Sequence, residues 1–139
     1  MTDVDEIRLT LPADPYSASS LSQDGRRIAL VTGESPMRNE LRIVEVPSGE
    51  VHPILLTGIE GLDAVAFSAD GKALFASVGW YDLRGAAKLL HISLDGRTTV
   101  IHRFEEGKRT LAFIPSPDGR YLAFVVAAAL PDLWLLENF

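Results

Sequence analysis

A nine-residue pattern recurs three times and limits what this chain can become. Ser22-Gln23-Asp24-Gly25-Arg26-Arg27-Ile28-Ala29-Leu30 aligns without gaps on Ser68-Ala69-Asp70-Gly71-Lys72-Ala73-Leu74-Phe75-Ala76 and on Ser116-Pro117-Asp118-Gly119-Arg120-Tyr121-Leu122-Ala123-Phe124. The three serines stand 46 and 48 residues apart. Self-similarity at a near-constant period of this size marks an array of supersecondary units rather than one irregular core. Each copy predicts a tight turn leading into a strand, because Asp accepts hydrogen bonds from nearby backbone and Gly takes up the positive φ that side chains resist.

Between the turns, the apolar runs are short, rich in β-branched and aromatic residues and bounded by turn signals, which predicts strands throughout. The first unit is expected to hold strands at 18–21, 27–32, 40–46 and 51–56, and the second at 64–67, 73–78, 88–93 and 98–104. The third holds 111–114, 121–126 and 133–138, one strand short. At the other end, Ile7-Arg8-Leu9-Thr10-Leu11 alternates apolar and polar strictly, and its Leu9-Thr10 matches Leu56-Thr57 at the end of the first unit's fourth strand. The expected division is therefore a latch strand at 6–11 followed by four-stranded units at 17–57, 62–104 and 110–139.

In the third unit the repeat is followed by Asp132-Leu133-Trp134-Leu135-Leu136. Together these segments resemble the blade motif of the TolB-type β-propeller family, Ser-Pro-Asp-Gly-x-x-[Ile/Leu]-Ala-Phe and then Asp-[Ile/Leu]-Trp. The first two units depart from it: Gln23 and Ala69 replace the Pro, while Glu40-Leu41-Arg42 and Lys88-Leu89-Leu90 replace the Asp-Leu-Trp element. The resemblance spans nearly the whole chain and implies an all-β fold, a β-propeller with three four-stranded antiparallel blades per chain, where relatives usually carry six. Some relatives are fused to DNA-binding, kinase or peptidase domains. One propeller fold hosts many unrelated activities, so the resemblance specifies no function.

Propellers generally close with four to eight blades. Three would leave two blade faces bare, with Ile28, Leu30, Phe75, Leu122 and Phe124 expected to line apolar patches that soluble monomers rarely tolerate. The smallest closed solution is a two-fold pair of chains, giving six blades. The expected assembly is a homodimer in which Ile7, Leu9 and Leu11 of one copy lie beside Leu133 and Leu135 of the other, completing its third blade by β-augmentation. Two alternatives stand beside it: half of a larger TolB-like propeller attached to an enzyme or regulatory domain, or an engineered or evolutionary half-propeller with no ligand.

The formal charge of −6 argues against nucleic acid as a partner, since a phosphate-backbone binder needs a concentrated basic face. The absence of cysteine removes disulfides, thiol nucleophiles and thiolate metal sites together. The acidic N-terminus has no apolar run behind it, which predicts no signal peptide and, were the chain complete, a cytoplasmic location. The longest strongly apolar run, 121–130, is about half of what a membrane-spanning helix needs.

No nucleophile constellation is expected. Gly33-Glu34-Ser35-Pro36-Met37 begins like a nucleophile elbow but lacks the second Gly and the strand-turn-helix setting. His52, His91 and His102 fall within predicted strands without companions at metal-ligand spacing, and read as exposed sheet positions. Asp24, Asp70, Asp95 and Asp118 each precede a Gly and read as turn residues rather than metal ligands. No cofactor is expected. Loops held by a rigid scaffold are where binding tends to reside, so the connections between second and third strands carry the candidate partner face. Trp80, Tyr81 and Arg84 supply residue types favoured at recognition surfaces, with Arg38, Asn39 and Arg109 as further polar contacts. Trp134 is expected in the blade core. The sequence thus predicts a non-catalytic module for protein interaction or scaffolding.

Overall fold

A computed structural model describes residues 18–35, 37–79, 86–127 and 132–139. The expected latch strand, with Ile7, Leu9 and Leu11, lies outside the described residues, as do Trp80, Tyr81 and Arg84.

Eleven strands are described: β1 (Ala18–Leu21), β2 (Arg27–Ser35), β3 (Arg38–Glu45), β4 (Val51–Ile54), β5 (Leu62–Phe67), β6 (Ala73–Val78), β7 (Lys88–Ser93), β8 (Thr98–Arg103), β9 (Arg109–Pro115), β10 (Tyr121–Ala127) and β11 (Asp132–Glu137). They form three antiparallel meanders, β1-β2-β3-β4, β5-β6-β7-β8 and β9-β10-β11. Strand ends differ from the expectation by up to three residues, most at β2, which runs on to Ser35 because Gly33 and Ser35 still pair with Asn39 and Arg38 across a bulge. That pairing also explains Gly33. A Cβ there would stand 2.1 Å from the Arg38 carbonyl oxygen, so the glycine serves close strand approach rather than a nucleophile elbow.

The repeated turn is built the same way each time. Ser22 Oγ donates to Asp24 Oδ1 (2.7 Å), and the Arg26 amide donates to the same oxygen (3.0 Å). The Arg27 amide then donates to Ser22 Oγ (2.9 Å). Ser68 with Asp70 and Ser116 with Asp118 repeat the network, and Ser93 with Asp95 makes a related one at the hairpin between β7 and β8. Gly25, Gly71 and Gly119 hold φ near +70°, which a side chain would resist.

The sheets pack face to face in chain order. One core joins the first sheet to the second through Ala29, Val31, Leu41 and Ile43 against Val65, Phe67, Leu74 and Ile92. A second core joins the second sheet to the third through Phe75 and Leu89 against Phe113, Leu122, Phe124 and Val126. The first strands of successive sheets, β1, β5 and β9, adjoin one another, and the Phe67 amide donates to Ser20 Oγ across the first junction (3.2 Å). This is the radial stacking of propeller blades about their innermost strands.

Strand alternation corrects the expected bare faces. Phe75, Leu122 and Phe124 are at most 3% exposed, because their side of each strand turns into the core between the second and third sheets. Ile28 and Leu30 do lie on the opposite face from Ala29 and Val31, and are half-buried there.

Candidate interaction surface

The third sheet has one covered face and one open face. Phe124 pairs with Phe113 and Trp134, while the adjacent Ala123 pairs with Ile114 and Leu135. Successive side chains point to opposite faces. The Phe124 set therefore meets the second sheet, and Ile114, Leu133 and Leu135 point away from it. These three are 70%, 77% and 63% exposed. Among the described residues β11 is also the outer edge of this sheet, whereas β3 and β7 each have a fourth strand beyond them. A row of unpaired edge amides and carbonyls is a template for another strand. The two leucines expected to meet a latch strand are thus placed on an open edge strand.

Trp134 departs from the expectation of a core position. It shares the face of Phe124 but sits on the edge strand, where it is about half exposed and lines a small cavity (≈150 Å³) with His102, Phe104 and Val126. The histidines also differ from one another. His52 is exposed, 3.6 Å from the Glu50 carboxylate. His91 and His102 are half-buried and make ring contacts instead, His91 with Phe75 (5.8 Å) and His102 with Phe104 (4.8 Å). Among the described residues no three His, Cys, Asp or Glu converge as a metal site, and no helix is long and apolar enough to cross a membrane.

The turn carboxylates hold protons weakly. The Ser22 hydroxyl and the Arg26 amide lower the Asp24 pKa below its ordinary value, the Lys72 amide and Ser68 hydroxyl do so for Asp70, and the Ser116 hydroxyl and Arg120 amide for Asp118. Hydrogen bonds to the charged form are the cause in each case.

At the loop end, a cleft of ≈410 Å³ separates the first and second sheets, bordered by Met37, Ile59, Lys88 and Arg103. Gly79 and Ala86, which bracket Trp80, Tyr81 and Arg84 in sequence, also line it. Arg38 is exposed at the start of β3, and Arg109 opens β9 opposite Ala127. Asn39 has a structural task that sequence reasoning missed. Its Nδ2 donates to the Leu62 carbonyl (2.7 Å) and its Oδ1 accepts from the Leu62 amide (3.0 Å), clasping the first sheet to the second. No local pattern announces a partner 23 residues away.

The stacking recurs in solved structures. TolB from Acinetobacter baumannii matches with a TM-score of 0.72 over 90% of this chain at 21% identity. A chain of a nidogen/laminin complex matches at 0.71 over 93% and 13% identity, and a prolyl endopeptidase at 0.65 over 87% and 18%. This chain spans only 30%, 46% and 20% of those chains. No protein-family model and no curated protein matches the sequence. Blades stacked as in TolB, from three sheets in chain order with no helix among the described residues, give this chain the β-propeller fold.

Proposed function

We propose that the chain is a non-catalytic protein-interaction module that assembles as a homodimeric six-bladed propeller. The observation that carries this is the open apolar face of the third sheet, where Ile114, Leu133 and Leu135 stand exposed while its other face and both faces of the second sheet pack against neighbours. In the proposed dimer, that face adjoins the first sheet of a second copy, whose far side carries the exposed Leu21 and the half-buried Ile28 and Leu30. The segment Ile7 to Leu11 of each copy adds a fourth strand beside β11 of the other, exchanging N-terminal strands. Burying two such faces symmetrically is the isologous arrangement that closes a pair.

The surface offered to other proteins is the loop end, where exposed Arg38 follows Met37 of the cleft between the first two sheets and where, in sequence, Trp80, Tyr81 and Arg84 fall between its lining residues Gly79 and Ala86. Support comes from the aromatic and arginine content of that connection. A Leu133→Glu, Leu135→Glu double variant tests the assembly. Charges on the open face should leave the β-sheet circular dichroism intact and halve the sedimenting mass; a variant that sediments like the parent chain would remove the basis of the reading.

A further inference from the structure

The junction between the first and second sheets holds a feature that the next junction lacks. Arg27, at the start of β2, reaches across to the second turn: its Nη2 donates to the Gly71 carbonyl (2.8 Å) and its guanidinium lies 5.4 Å from the Phe67 ring centre. The repeat aligns Arg27 with Ala73 and Gly71 with Gly119. At the second junction the residue that should send an arginine toward the next turn is therefore an alanine, which brings no donor to Gly119. A cleft of ≈590 Å³ lies there, and both Ala73 and Gly119 line it.

The walls of that cleft suit what is missing. Asp70 and Asp118 border it, with Lys72 and His91 also among its lining residues. In both carboxylates Oδ1 carries the turn's hydrogen bonds, which leaves Oδ2 outside the turn network. Hydrogen bonds from the turn, the Lys72 amide and Ser68 hydroxyl for Asp70 and the Ser116 hydroxyl and Arg120 amide for Asp118, lower the pKa of both side chains. Phe139 meets the buried Phe75 edge to face at 5.3 Å and is the exposed ring of the cleft, while Pro115 stands where the repeat places Phe67 at the first junction. Carboxylate oxygens, a turn carbonyl and aromatic rings are the groups that recognise a planar guanidinium.

We propose that this cleft receives an arginine side chain from a partner polypeptide, in the place that Arg27 fills from within the chain at the preceding junction. The site lies within one copy, at the turn end of the blades, so it does not depend on the self-association proposed above.

The test is a titration with N-acetyl-arginine amide, followed by backbone amide shifts in NMR, against the isosteric but uncharged N-acetyl-citrulline amide. Saturable shifts are expected at Ala73, Asp118, Gly119 and Phe139 with the arginine compound, and binding about tenfold weaker or absent with citrulline. Ala73→Arg should fill the cleft internally and abolish the shifts. Should that variant fold poorly, Asp118→Asn keeps an acceptor for Ser116 and the Arg120 amide while removing the charge, and should weaken binding about tenfold. Equal shifts from both compounds, no saturable shift in the parent chain, or unchanged binding in a folded Ala73→Arg or Asp118→Asn protein would overturn the assignment.

Discussion

The second and third sheets share a turn, a meander and a strand pattern, yet they end in different environments. In the second, β6 is buried on both faces: Leu74 and Ala76 meet the first sheet, and Phe75 meets the third. In the third, β10 alternates between buried Leu122, Phe124 and Val126 and half-buried Tyr121, Ala123 and Val125, and β11 projects Leu133 and Leu135 into the open. Both sheets are apolar on two sides. What differs is the number of neighbours: the second sheet packs against a sheet on each side, and the third, among the described residues, against one.

The contrast can be broken most sharply within the third sheet. Leu122→Ala, at a fully buried site, should cost about 2–5 kcal/mol in urea unfolding. Leu135→Ala, on the open face, should change folding of the single chain by no more than about 0.5 kcal/mol at concentrations too low for association. Equal costs would mean that the two faces are equally buried in solution.

Next in size is the clasp that seals the second sheet on its first neighbour. Asn39→Ala strips the Leu62 amide and carbonyl of their side-chain partner and should destabilise by about 1–3 kcal/mol. The same experiment separates the structural task of Asn39 from partner recognition, since a binding role alone would leave the unfolding midpoint in place.

A smaller effect of opposite sign is expected inside the middle blade. Ser77 is 1% exposed, and among the described residues no hydrogen-bond partner reaches its Oγ. Removing that hydroxyl in Ser77→Ala should stabilise the chain by about 1 kcal/mol, read as a raised unfolding midpoint. A loss of stability would mean that a water or partner satisfies Ser77 and that the second junction is wetter than the first.

The turns should differ least between blades, because their networks repeat atom for atom. Asp24, Asp70 and Asp118 have folded pKa values below the ordinary 3.8. A lowered carboxylate adds stability that is fully present above its unfolded value and is lost as pH falls through the folded one. Stability should therefore drop as acid is added below pH 3.8, and replacing the three residues with Asn should flatten that dependence. An acid profile unchanged by the triple substitution would take the turn carboxylates out of the account.

Much of this was legible from residues alone. Three Ser-x-Asp-Gly copies predicted the turns, and the apolar runs between them predicted the strands, because both signals are local. The sense of each face was not. A strand apolar on both sides offers no alternation to read, so Phe75, Leu122 and Phe124 were expected on bare faces that Ile114, Leu133 and Leu135 occupy instead. Trp134 belongs to the correct face, but its edge position leaves it half exposed. Arg27 on Gly71 and Asn39 on Leu62 join residues 44 and 23 positions apart, and only the packing of sheets brings them together.

The central claim is that a second copy covers the open third blade, and solution mass tests it most directly. Multi-angle light scattering on the unmodified chain at micromolar concentration should give twice the 15.1 kDa chain mass. A stable species of 15.1 kDa across that range would contradict the account.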